Sequence, residues 1–211
     1  MEKLQIKDMT NYNFLSNLKY SPNGQSLCFN VKRADEDEND YLSRLWVYNI
    51  NEDNLFRLSS AKKDGNFVWL DDENILFTSN RKEDDKKESL KAETEFYKIN
   101  INGGEAEFFT TIPYIVKDFK KGSNNKLVIS VLRDINEKSE EELKEEKDYE
   151  VLDEIPFWSN GQGFTNKKRI QLISLDLNSK ETKDLIENNY EVISYDIFED
   201  KLCINMRSYK D

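Results

Sequence analysis

The sequence contains no histidine, only two cysteines and three prolines, and no run of 18 uncharged apolar residues. Without histidine the chain lacks the usual general base, the commonest metal ligand and any Ser-His-Asp or Cys-His arrangement. Triad and zinc chemistry are thereby excluded within these residues, and we predict no catalytic residue, metal site or cofactor. Met1–Thr10 lacks the apolar run of a secretory signal, so we expect a cytoplasmic protein.

The two cysteines each lie inside an apolar stretch. Cys28 follows Leu27, and Cys203 lies between Leu202 and Ile204. Two such cysteines are more often reduced core residues than a disulfide or a metal pair. We therefore expect both side chains in the core.

Negative charge exceeds positive charge by a wide margin. Against 42 acidic residues the chain has 31 basic ones, a net charge of -11. Nucleic acids and anionic membranes are therefore poor partners, because affinity for phosphate backbones comes largely from Lys and Arg. Three charged runs, Asp35–Asp40, Arg81–Lys91 and Glu137–Lys147, are predicted to be loops. The last can form a short exposed helix around Leu143 or stay disordered.

A repeat runs along the chain, and its clearest unit is a turn followed by an apolar strand with a basic end. In the first three copies an apolar residue precedes an arginine by six positions, and in the fourth by five. The pairs are Leu27 with Arg33, Ile75 with Arg81, Leu127 with Arg133 and Leu202 with Arg207.

Two further strands follow in the first three copies. The next strand ends in an apolar residue and an asparagine suited to a tight hairpin turn. Eight residues beyond that apolar residue comes the centre of another strand. The strands are Leu45–Ile50, Phe96–Ile101 and Ile170–Leu177; the asparagines are Asn51, Asn102 and Asn178; the centres are Leu58, Phe109 and Leu185.

A preceding strand completes four per unit, which is the pattern of a β-propeller blade. These strands are Phe14–Tyr20, Phe67–Leu70, Ile115–Phe119 and Val192–Ile197. We predict an all-β chain: a partial propeller of about three and a half four-stranded antiparallel blades. The single domain, 1–211, would comprise blades 11–62, 63–112 and 113–188 and a partial blade 189–211. The alternative is an antiparallel sandwich.

The predicted propeller is incomplete, since its fourth unit stops after the second strand. Closed propellers hold about four to eight blades. Open strand edges invite pairing with another chain or with a missing remainder of the same protein, so oligomerisation through these edges is expected. We interpret the chain as a fragment.

Several motifs carry a family resemblance. Tyr20–Gln25 looks like the Ser-Pro-Asp-Gly turn in propellers of prolyl-oligopeptidase-type serine peptidases and TolB-like proteins, with Asn23 where aspartate is commoner. Leu45 and Trp46 resemble the leucine-tryptophan pair of the following strand. More specific is the third-unit insertion, Glu154–Trp158 and Asn160–Phe164, which resembles the acylaminoacyl-peptidase branch.

The resemblance implies that the propeller and the catalytic domain have separate roles. In this family the propeller caps a C-terminal α/β-hydrolase domain whose Gly-x-Ser-x-Gly elbow, aspartate and histidine do the chemistry. The present chain has no such motif, so it is expected to be non-catalytic. It would gate the access of short peptides to its own hydrolase domain, which is absent here. The alternative is a non-enzymatic module, TolB- or WD40-like, that binds protein or peptide.

The candidate substrate-binding residues lie in the third-unit insertion. The acidic cluster Glu150, Asp153 and Glu154 can hold a peptide's amino group by charge-assisted hydrogen bonds, or be a solvated loop. Phe157 and Trp158, with Phe164 nearby, can line an apolar pocket or pack against a hydrolase domain.

The three arginines at one repeat position, Arg33, Arg81 and Arg133, can contact substrate carboxylates. Repeat architecture is the simpler explanation, with each arginine closing a strand.

Overall fold

The computed structural model describes residues 3, 5–81, 92–123, 125–136, 138–145, 148–149, 151–152, 154–155, 158–160 and 163–209. The chain divides into two compact units, residues 1–86 with 94–111 and residues 87–93 with 112–211. A 3-10 helix, Ile6–Asn11, precedes the first strand. Among the described residues, no helix has the length and apolar character needed to cross a membrane.

The first unit contains two four-stranded antiparallel sheets whose strands lie in chain order. The first sheet comprises β1 (Phe14–Tyr20), β2 (Ser26–Asp35), β3 (Asp40–Asn49) and β4 (Asn54–Arg57). The second comprises β5 (Asp64–Trp69), β6 (Asn74–Ser79), β7 (Thr94–Asn100) and β8 (Glu107–Ile112).

The second unit contains a third sheet, a two-stranded pair and a small insertion. The third sheet comprises β9 (Ile115–Lys121), β10 (Lys126–Asp134), β13 (Lys168–Asp176) and β14 (Thr182–Asp184). Between β10 and β13 come helix α1 (Glu140–Glu145) and the hairpin of β11 (Trp158–Ser159) and β12 (Gly163–Phe164). The pair is β15 (Tyr190–Phe198) with β16 (Lys201–Ser208). Three four-stranded sheets and half of a fourth confirm the predicted fold class.

Backbone hydrogen bonds confirm the repeat residue by residue. The amide after β3, β7 or β13 donates to the carbonyl before the second strand of its sheet. These bonds are Ile50 to Gln25 at 2.9 Å, Ile101 to Glu73 at 2.8 Å and Leu177 to Asn125 at 3.0 Å. The three sheets therefore share one register, and Arg33, Arg81 and Arg133 occupy one structural position.

The hairpin turns use a side chain that the sequence analysis passed over. The predicted asparagines lie in the turns, but their amides are held by the residue two positions earlier. The bonds are Asn51 to Asn49 Oδ1 at 3.1 Å, Asn102 to Asn100 Oδ1 at 2.8 Å and Asn178 to Asp176 Oδ1 at 2.9 Å. The repeated signal is thus an Asn or Asp that closes a turn on its own backbone.

The core of the first unit lies between its two sheets. Cys28, Leu45 and Val47 of the first sheet belong to one cluster with Phe67 and Phe77 of the second, and all five are fully buried. Side chains alternate along each strand, so this core uses one face of the first sheet. The opposite face, which carries Phe29 and Trp46, is only half-buried.

Three details differ from the predictions. Cys28 is buried, whereas Cys203 is exposed on β16; both thiols are free. Within the described residues β16 pairs only with β15, and Cys203 lies on its exposed face, whereas its apolar neighbours Leu202 and Ile204 point to the other face. Burial raises the pKa of the Cys28 thiol.

Strand ends also shift. Within the predicted loop Asp35–Asp40, both end residues pair in the ladder, and only the four residues between them form the turn. Leu58 and Leu185 lie just past β4 and β14 rather than at their centres. Their amides still donate to the carbonyls of Leu45 and Leu172, both at 2.9 Å.

Truncating the core should unfold the first unit at much lower denaturant. We expect Phe77→Ala to lower the free energy of unfolding by about 3–5 kcal/mol, since a fully buried ring leaves a cavity. Phe14→Ala removes the same atoms from a half-exposed site in the same unit and should cost under about 1.5 kcal/mol. Urea titration followed by circular dichroism measures both, and equal losses would contradict this packing.

Candidate functional site

The insertion between β10 and β13 carries the predicted substrate-side residues. Its helix α1 begins with a capping box: the Glu142 amide donates to Ser139 Oγ at 3.2 Å, and the Ser139 amide donates to Glu142 Oε2 at 2.7 Å. Of the two alternatives for the charged run Glu137–Lys147, a short helix or disorder, the structure shows a short helix at Glu140–Glu145. Glu150, Asp153 and Phe157 lie outside the described residues.

Glu154 is held by Arg169 and the backbone. Arg169 Nη1 donates to Glu154 Oε2 at 2.9 Å, and Nη2 donates to Oε1, so the pair is bidentate. The amide of Lys167 also donates to Oε2 at 2.9 Å. The hydrogen bond from Arg169 is the main cause that lowers the pKa of Glu154. The carboxylate is therefore ionised at neutral pH, and both of its oxygens accept hydrogen bonds from the protein.

Arg169 connects the insertion to the end of the described chain. Its guanidinium carbon lies 3.7 Å from the centre of the Tyr209 ring, a cation–π contact. The Tyr209 hydroxyl donates to Glu191 Oε2 at 2.9 Å, and Arg207 Nη2 donates to the same oxygen at 2.6 Å. Glu154 is thus the first member of a chain of ion-pair, cation–π and hydrogen-bond contacts that links the insertion to the β15–β16 pair.

Trp158 and Phe164 are two exposed aromatic residues of the insertion. They are direct cross-strand partners in the β11–β12 hairpin. Each ring is about half exposed, and Gly163 at φ 73° occupies a left-handed conformation that favours glycine. Two rings in this position offer an apolar contact surface and no acid–base chemistry.

The repeat arginines differ in their surroundings. Arg81 Nη2 lies 3.3 Å from Asp64 Oδ1, and the Arg81 guanidinium lies 4.4 Å from the Tyr97 ring centre. Arg133 repeats this chemistry with Asp184 at 2.8 Å and the Tyr114 ring at 4.6 Å. These contacts confirm the structural role of both residues. Arg33 is exposed and has neither an ion pair nor a side-chain hydrogen bond within the described part of the chain.

Two buried acidic residues of the second sheet, Asp64 and Glu95, were not predicted from the sequence. Asp64 is almost fully buried, and its Oδ1 accepts a hydrogen bond from Ser79 at 2.7 Å; burial raises the pKa of this carboxyl. Glu95 is also buried and accepts from the Tyr97 hydroxyl at 2.5 Å. Asp64 begins β5 and Glu95 is the second residue of β7, and neighbouring charges hide both in the sequence.

No group of three or more His, Cys, Asp or Glu residues within the described ranges is placed to hold a metal ion.

No protein-family model and no curated protein matches the chain, but solved structures do. Acylaminoacyl peptidase of Pyrococcus horikoshii matches with a TM-score of 0.64 and 12% identity over 89% of this chain and 28% of that one. An acylaminoacyl peptidase in complex with Z-Gly-Gly-Phe-chloromethyl ketone gives 0.63 and 13% over 89% and 27%. The apo AtxE2 isopeptidase gives 0.53 and 15% over 81% and 28%.

The chain has the fold of part of an acylaminoacyl peptidase. It spans less than a third of the length of each of these structures. At such low identity the likeness concerns the fold. The predicted resemblance to the propeller of such a peptidase is therefore confirmed for the fold.

The Glu154–Arg169 pair gives a pH-dependent prediction. Because the folded-state pKa of Glu154 lies below its ordinary value of 4.5, its stabilisation is complete above that pH and is lost as the pH falls through the lowered value. At pH 7, Glu154→Gln should therefore cost about 2 kcal/mol, and the loss should vanish in acid. Thermal unfolding measured across this pH range by circular dichroism checks it.

The matched control is Glu145→Gln at the exposed end of α1. It removes the same charge without breaking a described ion pair. If the two variants shared one pH profile, the Glu154–Arg169 pair would have no special effect on stability.

Proposed function

We propose that this chain is the non-catalytic propeller segment of a serine peptidase related to acylaminoacyl and dipeptidyl peptidases. Its role would be to limit the access of short peptides to a hydrolase domain outside these residues. The observation that carries the proposal is the fold match to P. horikoshii acylaminoacyl peptidase over 89% of the chain at a TM-score of 0.64.

The composition supports the non-catalytic part of this role. Serine hydrolases of this kind need a histidine base and a nucleophile elbow, and the 211 residues contain no histidine and no Gly-x-Ser-x-Gly sequence. The chemistry would therefore belong to another polypeptide segment. The propeller would contribute an enclosure and a substrate-side surface.

Within this role we assign the substrate-side surface to the β11–β12 hairpin. The rings of Trp158 and Phe164 are half exposed and adjacent, and exposed aromatics are suited to apolar peptide side chains. Glu154 would position this insertion through Arg169 rather than bind a free amine, because its charge is already paired with that guanidinium. The roles proposed for Glu150, Asp153 and Phe157 remain predictions.

The test compares hydrolysis of acyl-alanine and free aminoacyl nitroanilides by two preparations. One is the 211-residue chain, and the other is the longest polypeptide from the same locus that contains it. Activity should be confined to the longer product and should be lost with a serine-directed phosphonate. If neither preparation were active, the peptidase proposal would be overturned. The alternative, a non-enzymatic propeller module that binds protein or peptide, would then remain.

In an active longer product, Trp158→Ala should raise KM for short peptides by about fivefold, the value of one aromatic contact, and leave kcat unchanged. The control is Phe14→Ala, a half-exposed aromatic of the other unit, which should change neither constant. An unchanged KM for Trp158→Ala would remove the hairpin from the substrate-side surface.

A further inference from the structure

Three asparagines of the chain are followed directly by glycine: Asn23, Asn102 and Asn160. Glycine has no Cβ, so the amide nitrogen that follows the asparagine is open for attack on that asparagine's own side chain. The glycine after Asn160 lies outside the described residues. The structure therefore allows a comparison of the other two asparagines, both of which are exposed residues in turns.

Asn23 is held by several hydrogen bonds. Its Oδ1 accepts from the Ser21 hydroxyl at 2.8 Å and from the Gln25 amide at 2.9 Å. Its own amide donates to Asp72 Oδ1 at 2.8 Å. The amide of Gly24, which is the nitrogen that would react, donates to the Ser21 carbonyl at 2.9 Å. The side chain and this nitrogen cannot approach each other unless these bonds break.

Asn102 is held much less tightly. Within the described residues only its backbone amide forms a hydrogen bond, and its side chain forms none. The amide nitrogen of Gly103 lies 3.4 Å from the Asn100 carbonyl oxygen, beyond the usual range of about 2.7–3.2 Å. Gly103 and Gly104 have φ of 132° and 101°, and a Cβ at either would meet no atom within 4 Å. The reacting atoms of this turn therefore have room to move.

The equivalent turns of the first and third sheets lack this combination. Asn51 and Asn178 occupy the same repeat position, but Glu52 and Ser179 follow them. A side chain at the following residue shields its amide nitrogen. Both amides also donate to the side-chain oxygen that closes the turn, at 3.3 Å for Glu52 and 3.0 Å for Ser179. The second sheet thus has the most reactive of the three repeat turns.

We propose that Asn102 is a site of spontaneous deamidation in the folded protein. Solvent hydroxide removes the proton of the Gly103 amide, and the nitrogen attacks Cγ of Asn102. The Cγ–Nδ2 bond breaks, and Nδ2 takes up a proton and leaves as ammonia, so that a succinimide ring remains. Water then hydrolyses the ring on either side, which yields aspartate or isoaspartate. The reaction consumes only water.

The product changes the groove between the first two sheets. This groove of about 340 Å³ is lined by Glu52 and Phe56 of the first sheet and by Asn102 and Gly103 of the second. No basic side chain of the described chain lines it. Deamidation therefore adds a second carboxylate to a groove without a counter-charge, and isoaspartate also lengthens the main chain in the turn. The modified chain is more acidic and separates from the original on an anion exchanger.

The test incubates the folded 211-residue chain in mildly alkaline buffer and follows its tryptic peptides by mass spectrometry. The peptide of residues 99–117 contains Asn102, and that of residues 20–32 contains Asn23. Replacement of the amide by a carboxyl group raises the mass, and fragmentation assigns the change to one residue. We expect Asn102 to convert about tenfold faster than Asn23, because the bonds that hold Asn23 and Gly24 add to its barrier.

Two controls separate the effect of the fold from that of the sequence. In concentrated urea both Asn-Gly pairs are unfolded and should convert at similar rates. The variant Asn102→Gln keeps an exposed amide but would have to close a larger ring, so conversion at this position should stop while that of Asn23 is unchanged. Circular dichroism checks that the variant folds. Equal rates at the two sites of the folded chain, or a preference for Asn102 that persists unchanged in urea, would overturn the proposal. Peptidase activity has no part in this reaction, so the proposed function is tested separately.

Discussion

Coverage of both faces of each sheet is the constraint on which this structure depends. A strand with apolar residues on both sides is stable only when each face is packed. In the first unit, Cys28 and Val47 cover the second sheet, whose Phe67 and Phe77 are fully buried. The other face of the first sheet, with Phe29 and Trp46, is only half-buried. Each of these two sheets is thus a packing partner of the other.

The same constraint explains the charged residues inside the sheets. A guanidinium at the end of a packed face needs a carboxylate, because burying an unpaired charge is costly. Arg81 and Arg133 each have a carboxylate and a tyrosine ring. On the half-buried face of the first sheet, Arg33 has neither within the described structure. Repeat architecture therefore accounts for two of these arginines, whereas Arg33 at the same position is exposed.

Much of the fold was predictable from the sequence because each repeat contains the same order of apolar strands and turn residues. β1 begins and ends as predicted, and the positions of Ile50, Ile101 and Leu177 follow from the alternation of apolar residues and turns. Strand ends were less predictable, since Asp35 and Asp40 extend a ladder whose stability comes from its neighbours. The exposure of Cys203 depends on which strands accompany β16, which local sequence does not encode. At the candidate site, the glycines after Trp158 indicate a turn in the sequence. The pairing of Glu154 with Arg169 spans 15 residues, so it could be seen only in the tertiary structure.

The measurement that tests this account most directly is hydrogen exchange at the arginine Nε–H groups, observed by nitrogen-15 NMR. Arg81 and Arg133 are partly or fully buried beside carboxylates and rings, whereas Arg33 at the equivalent position is exposed. The account predicts slow exchange with water for Arg81 and Arg133 and fast exchange for Arg33. Three similar rates would contradict the claim that one repeat position is closed in two sheets and open in the first.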